Sequence, residues 1–468
     1  MIGLPRGCKD VVLLSRKVRC IMLDYSTNRS PLLSLRDDED SAEGGINPLG
    51  FYSIADQLAS DFLAPGVRER QRRIRFVTIS AVSAWICADF GEDEIAADGV
   101  SEPWQVLEWY VVEGLVRGAN DDLDERGLPG RDKAARARKD GLPLSAKIYL
   151  KTPSVFGFHG VYRSLARSLD IVNSTGILAE TGIELLRAWE KDQGLAGFYS
   201  GNGENGGRYR NLLRDAVRDG LREGAVSRPS RWQGWVEIIQ HLRHSQVGRY
   251  EKRVLRSALR GKENAPDPKF RGHLLDYLIS EPGRRAWRAS KGSERSFHEA
   301  FHRDCKEKGL RDLLGSILAF ESFSRLLQDA FEDALSEMAR CTKGASPGEM
   351  AKRRPVDLAA RKTWDLARDV ADRLGAFGLS GDFQRVFGTL SEARDPDDWI
   401  VALLEHHTRI QREKPPHGKA PWCERLDNGR WVVRPLYRPE AGDGNQRDYV
   451  NRYRTGPLWS FAKDLGLV

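Results

Sequence analysis

The sequence predicts a mainly α-helical, multi-domain protein with an embedded winged helix and a small β-hairpin near the C-terminus. Three observations carry that expectation. Apolar residues recur at helical spacing through most of the chain. One segment, 158–189, reads in order as helix, strand, tight turn, strand and helix. A single late stretch, "GRWVVRPLYRP" (Gly429–Pro439), alternates as a strand does and is flanked by Gly and Pro. The length, 468 residues, leaves room for several units at about 100–200 residues each. Composition shifts divide them into an N-terminal cap and acidic loop (1–48), a helical domain (49–125), the winged-helix segment (141–198), a second helical domain (208–342) and a C-terminal helical and hairpin region (356–468).

The cap holds a short strand at Cys20–Asp24 and a loop rich in Asp and Glu. From Phe51 to Leu63, Ile54, Leu58 and Phe62 recur at i, i+4 and i+8, which predicts a helix that Pro65-Gly66 stops. Phe76, Ile79, Val82 and Ile86 mark a second helix, and Val106, Leu107, Tyr110 and Val111 a third that starts near Pro103. Asn120–Leu142 is polar, with Gly and Pro, and reads as an exposed loop. "YSGNGENGGRYR" (Tyr199–Arg210) is a break, after which Trp235, Ile238, Ile239 and Leu242 share one helical face. A long helix starts at Leu310 and runs toward Met338; "KGASPGEMAKRRP" (343–355) is a joint; Leu358–Leu374 and Trp399–Arg412 are two further helices.

Charge bounds the function without fixing it. Lys and Arg number 74 against 67 Asp and Glu, a net +7 with a pI near 9.0, which is compatible with nucleic acid and does not require it. Arg68, Arg70, Arg72, Arg73 and Arg75 form one basic run and Lys133, Arg136, Arg138 and Lys139 another; solvated surface is the plain reading of each. The six cysteines are scattered, and the first residues lack the continuous apolar core of a signal peptide, so a reduced cytoplasm is expected. The longest apolar run, Phe76–Ala88, falls short of the roughly 20 residues of a membrane span and reads as a buried core helix, so no membrane partner is expected.

In "FHGVYRSLARSL" (Phe158–Leu169), Val161, Leu165 and Leu169 line one face, which leaves His159, Arg163, Ser164 and Arg167 outward. Arg163 and Arg167 are one turn apart, a spacing that suits two guanidinium groups reaching phosphates or a base edge in one groove of duplex DNA. Ile171-Val172 and Ile177-Leu178 would flank a wing whose Asn173 and Ser174 meet the sugar-phosphate backbone. Lys151 and the cluster Arg136, Arg138 and Lys139 would add phosphate contacts. The passage "LAETGIELL" (Leu178–Leu186) resembles the "LTEKGRELL"-type stretch of winged-helix regulators such as the multiple-antibiotic-resistance family. Such a fold also needs a helix just before the recognition helix, and with Pro143 and Pro153 about ten residues apart that helix has to be very short or supplied from elsewhere.

Other chemistry is weaker. "GNGENG" (Gly201–Gly206) matches the letters of a dinucleotide loop but follows a helix, where that motif needs a strand. His298, His302 and Cys305 fall at i, i+4 and i+7 and are the metal-ligand candidates, although the His–His spacing is one residue too long for HExxH. His406-His407 and the basic and aromatic residues around Trp422, Trp431 and Tyr437 invite acid-base or stacking roles; packing of the hairpin aromatics on the preceding helix, with the basic side chains outward, is preferred. Asp395–Asp398 and Glu405 stand at no telling spacing for a nuclease. No cofactor is expected, and the absence of a catalytic motif leans away from an enzyme.

The passage from Gly45 to Trp85, with Leu49, Gly50, Ala55, Asp56, Pro65, Gly66, Arg73, Arg75 and Phe76 at the positions of a "LG…(I/A)AD…L.PG…..R.R(Y/F)" pattern, looks like the opening of uncharacterised bacterial proteins encoded beside restriction and anti-phage genes. "LLEHHTRIQREKPPHGKAPW" (Leu403–Trp422) is similar to their C-terminal portion. The resemblance implies a genomic setting and no active site. The expectation is a DNA-binding or DNA-sensing subunit of a prokaryotic defence assembly, with DNA and other protein subunits as partners. The alternatives are a structural adaptor that docks a nuclease, helicase or ATPase without touching DNA, and a divergent metal-dependent nuclease.

Overall fold

The structure is a computed structural model that describes residues 47–91, 93–118, 127–202, 204–261, 270–392, 394–414, 417–439 and 448–468. The N-terminal cap, its acidic loop and the strand expected at Cys20–Asp24 lie outside the described residues, apart from Asn47 and Pro48. Among the described residues the protein is mainly α-helical, with one two-stranded antiparallel hairpin.

The chain opens with α1 (Tyr52–Gln57), which continues as a π-wound stretch, Leu58–Leu63, so the helix expected over 51–63 is present with its second half rewound. Then come α2 (Phe76–Cys87), α3 (Pro103–Arg117), α4 (Arg131–Lys139), α5 (Pro153–Phe156), α6 (Phe158–Ser168), α7 (Glu180–Gln193), α8 (Glu204–Glu223), α9 (Gly234–Leu242) and α10 (Arg249–Arg260). The second half holds α11 (Arg271–Ile279), α12 (Glu281–Ala289), α13 (Glu294–Asp304), the long α14 (Lys308–Arg340), α15 (Pro347–Ala351), α16 (Arg354–Gly375), α17 (Ser380–Phe387), α18 (Pro396–Arg412), β1 (Cys423–Arg425), β2 (Trp431–Val433) and α19 (Thr455–Asp464).

Two hubs organise the packing. α2 is buried around most of its circumference, because apolar and small residues occupy its faces, and it packs on α3, α6, α7 and α8. α14 buries Leu313, Ile317, Phe320, Leu327 and Phe331 against α16, α13, α15 and β2. Between them the π stretch packs on α14 and α11, and α19 returns onto α11. The buried apolar side chains form one connected cluster from Leu49 to Leu465.

Two expected loops are partly helical. The second basic run lies on α4, not in an exposed loop, because Ala134 and Ala137 are small enough to bury against α3. The break at 199–210 ends early, with α8 starting at Glu204. The 343–355 joint is pinned to the hairpin, since Ala345 and Trp431 exchange both backbone hydrogen bonds at 2.8 Å. Ser346 and Glu349 form a capping box that starts α15 there.

Buried polar contacts tie the ends of the chain to the centre. Asp56 accepts from Arg68, Ser60 and Arg454, and these cations hold its carboxyl below the usual range against the opposing effect of burial. Asp464 of α19 takes Arg73 at 2.9 Å and the Ile74 amide at 3.1 Å. Arg75, 2% exposed, meets fully buried Glu251 of α10 at 3.2 Å. The first basic run thus divides: Arg68, Arg73 and Arg75 have carboxylate partners, while Arg70 and Arg72 are exposed with none among the described residues. Glu294 and Glu321 seize the backbone amides of 450–455, and burial pushes the Glu321 carboxyl up to about 7.

Candidate nucleic-acid interface

Gly157 begins α6 because nothing larger fits: a Cβ there would stand 1.9 Å from Glu108 Oε1. Phe158 stacks on Phe76 of the α2 hub at 5.4 Å, and Tyr162, Leu165 and Ala166 follow it into the core. Tyr162 uses its hydroxyl as acceptor for the amides of Arg72 and Arg73, both at 2.9 Å, while Gln71 donates to Val161 O at 2.9 Å. The helix is therefore fixed along its inner face by apolar contacts and on its flank by the basic loop.

Its outer face is narrower than the sequence implies. His159 turns inward; its backbone amide and Nδ1 both meet Glu108 Oε2, at 3.1 and 2.8 Å, and Tyr149 donates to Oε1 at 3.0 Å. Glu108 is fully buried, and those donors are what make its burial tolerable. Burial, and then the neighbouring carboxylate, raise the Tyr149 hydroxyl well above its ordinary pKa. Ser164 also fails the outward expectation, because its hydroxyl donates to Gly66 O at 2.9 Å across the joint with the basic loop. Gly160 is covered by α5, whose backbone at Ser154 would stand 2.3 Å from a Cβ. No helix forms between Pro143 and Pro153; the four-residue α5 begins at Pro153 and closes the first turn of α6.

Arg163 and Arg167 remain. Both are exposed, and neither has a carboxylate partner among the described residues. Arg163 lies over the Trp104 ring at 5.9 Å, and Trp104 is itself held by Nε1 donating to Glu102 at 2.8 Å. Arg167 donates to the carbonyl of Ser174, which joins the helix to the following turn. That turn is tight and short: Val172 and Leu178 form a lone antiparallel bridge in place of two strands, with Asp170 and Gly176 in left-handed backbone. Asn173 Oδ1 orders it by accepting from the Thr175 and Ile177 amides, each at 3.0 Å. Asn173, Ser174 and Ile177 are exposed at its tip, and Gly182 in the first turn of α7 packs against Ile171 O, where a Cβ would stand 2.1 Å away.

The helix, tight turn and helix expected over 158–189 are present, but the two strands expected between them are not: a lone bridge between Val172 and Leu178 stands in their place. Arg163, Arg167, Asn173 and Ser174 share the open surface of this segment. Lys151 is exposed just ahead of α5. Arg136, Arg138 and Lys139 are exposed on α4, which is anchored on α3, and Arg138 spends one donor on Val116 O at 3.3 Å. Arg70 joins the neighbourhood of α6 by lying 4.5 Å over the Phe156 ring, a placement that spacing within its own run could not reveal.

Most of the other candidates are engaged in packing. His298 is fully buried, its Nε2 3.0 Å from Thr455 Oγ1, and burial pushes its pKa down to about 3. Cys305 points its thiol to Glu307 O, and among the described residues no cluster of three or more His, Cys, Asp or Glu side chains is arranged to hold a metal ion. His406 and His407 face Leu49 O and Pro48 O, at 2.9 and 2.8 Å. Trp422 stacks on Tyr437 with centroids 4.8 Å apart, and Trp431 is buried. The basic side chains there do not all face outward: Arg434 is 3% exposed beside Glu424, and Arg430 bonds Glu349 at 2.6 Å. Asp397 and Asp398 are exposed in the first turn of α18, where carboxylates favour a helix N-terminus.

No family model matches the sequence, and neither a curated protein nor a solved structure is similar enough to count as a match.

Proposed function

We propose that this protein binds duplex DNA through the last two turns of α6 and the turn that follows, as a DNA-binding or DNA-sensing subunit of a larger assembly. The observation that carries the reading is the pair Arg163 and Arg167, exposed one turn apart on a helix with a fully anchored inner face, and without carboxylate partners among the described residues. Two such cations on a rigid helix keep their charge for phosphate or a guanine edge, and the amide and hydroxyl groups of Asn173 and Ser174 stand beside them for the backbone. The resemblance of Gly45–Trp85 and Leu403–Trp422 to proteins encoded beside restriction and anti-phage genes supplies a defence setting for the assembly, and no helix among the described residues is long and apolar enough to cross a membrane.

The test is a fluorescence-anisotropy titration of labelled duplex with the protein and with Arg163→Ala/Arg167→Ala. Loss of two charge-assisted contacts at about 1.5–3 kcal/mol each lowers affinity at least about a hundredfold. Unchanged affinity in the double variant refutes the assignment. The covering of Gly160 by α5 favours one alternative, an adaptor whose α5–α6 surface docks a protein partner. Stoichiometric co-purification with a protein encoded nearby, together with indifference to DNA, is its signature.

A further inference from the structure

On α10, Arg249, Arg253, Arg256 and Arg260 stand at i, i+4, i+7 and i+11, and all four are exposed. At 3.6 residues per turn they fall within about 60° of one another around the helix axis, in a straight row about 16 Å long. The opposite face buries Glu251, Leu255 and Leu259 against α7 and α11.

A row of guanidinium groups is self-repelling, and several arginines on helices elsewhere in this protein are relieved by a carboxylate one turn away: Arg295 with Glu299, Arg325 with Asp329, Arg361 with Asp357, Arg373 with Asp369. On α10 only the last arginine is relieved, by Asp276 at 2.7 Å. Arg249, Arg253 and Arg256 have no carboxylate partner among the described residues.

The location of the row ties it to α6. Buried Arg271 donates to Leu259 O and to Ser168 Oγ, both at 2.9 Å, so the last turn of α10 sits beside the last turn of α6. At the other end Lys191 of α7 lies 4.0 Å over the Tyr250 ring, and Asp192 accepts from the Tyr250 and Glu251 amides at 2.8 Å. α10 therefore runs back along α7 from its C-terminal end to the root of the helix that carries Arg163 and Arg167.

We infer that this row is a phosphate track that continues the α6 surface along the backbone of the same DNA; the inference rests on the DNA-binding reading of α6. Phosphates of one strand advance about 3.4 Å each along the duplex axis and are farther apart along the winding strand itself, so the row reaches fewer than about five of them. Point contacts of this kind carry affinity and orientation and no sequence preference. An anionic membrane is the poorer partner, because a helix that lies on lipid inserts its apolar face, and the apolar face of α10 is already packed on α7 and α11.

The experiment compares the full chain with Arg249→Ala/Arg253→Ala/Arg256→Ala and with the corresponding triple lysine variant, titrating a short labelled duplex across a series of salt concentrations. Each phosphate contact contributes about −0.9 to the slope of log K against log salt, so three lost contacts flatten it by about 2.7. The lysine variant retains the slope, since a point charge suffices for phosphate, and this rescue separates charge from any structural role. An alanine triple with the affinity and slope of the parent, while Arg163→Ala/Arg167→Ala loses binding, overturns the track and leaves the α6 reading standing. The converse, with the slope flattened by the α10 triple and binding untouched by the α6 pair, refutes the α6 reading instead. Absence of any duplex binding by the parent chain overturns both, as does binding only to phosphatidylserine vesicles.

Discussion

His407 makes the fold acid-sensitive in a way that can be isolated. Its Nδ1 lies 2.8 Å from Pro48 O and its Nε2 2.9 Å from the Trp422 amide nitrogen. The carbonyl requires a proton on Nδ1 and the amide requires a lone pair on Nε2, so the network assigns the neutral Nδ1–H tautomer. Protonation would set N–H against N–H in a fully buried site, and burial pushes the ring's pKa down to about 3 from an ordinary 6.5. A folded-state value below the unfolded one means stability that is complete above pH 6.5 and lost as pH falls toward 3. Between pH 6.5 and 5 the unfolded chain binds a proton that the native chain refuses, which costs about 1.36 kcal/mol per pH unit, or about 2 kcal/mol in all. The perturbation is His407→Leu. It strands the Trp422 amide, at about 1–3 kcal/mol, whereas Pro48 O keeps the Gln411 amide at 3.2 Å. Urea unfolding of both proteins at pH 8, 6.5 and 5 reads the difference between them. Glu321, raised to about 7 by burial, acts in the opposite direction, because its protonated native form gains stability as pH falls; it is common to both proteins and cancels. The stability advantage of the parent over the variant should shrink by about 2 kcal/mol from pH 8 to pH 5. An advantage independent of pH would refute the buried neutral ring.

Three further outcomes follow from the same contacts. Gly66→Ala places a Cβ 2.1 Å from Ser168 Oγ at a φ of +77°, and the left-handed backbone alone costs about 1–3 kcal/mol; an unchanged melting temperature would contradict the close approach of the basic loop to α6. Glu108→Leu leaves the His159 amide and ring without their acceptor and the Tyr149 hydroxyl with only the long 3.5 Å contact to Pro129 O, and destabilises by roughly 3 kcal/mol or more in chemical denaturation; a loss under about 1 kcal/mol would contradict the buried network. Arg75→Met strands buried Glu251 and costs about 3–5 kcal/mol, whereas Arg75→Met with Glu251→Leu recovers much of it; a double-mutant cycle without coupling would refute the pair.

The helical class was legible because apolar periodicity reports which face is buried, and α2, α3, α6, α14 and α18 all start and end near the residues that their periodicity and caps mark. In the segment 158–189 the two helices and the turn were legible, whereas the two strands do not form and the exposure was misjudged. His159 and Ser164 fall on the outward arc of an isolated helix, and only contact with α3, at Glu108, and with the basic loop, at Gly66, turns them in. α4 was hidden because its buried residues are alanines, too small to register as an apolar stripe. The pattern positions of the N-terminal passage have physical duties in the fold: Gly50 lets Ile410 approach, Asp56 binds Arg68 and Arg454, and Gly66 admits Ser168. The paired histidines join that passage to α18, a contact across more than 350 residues that no local spacing can encode. The row on α10 was present in "RYEKRVLRSALR" as arginines at i, i+4, i+7 and i+11, a signal that a search for clustered charge overlooks and one for helical phase finds.

The proposed role of α6 and its following turn is the binding of DNA. Anisotropy titration of the purified chain with short duplex and single-stranded DNA at two salt concentrations tests it most directly. Duplex binding should weaken steeply as salt rises, because counterions released from the phosphates drive it. No binding at the lower salt would contradict it and transfer the surface to a protein partner.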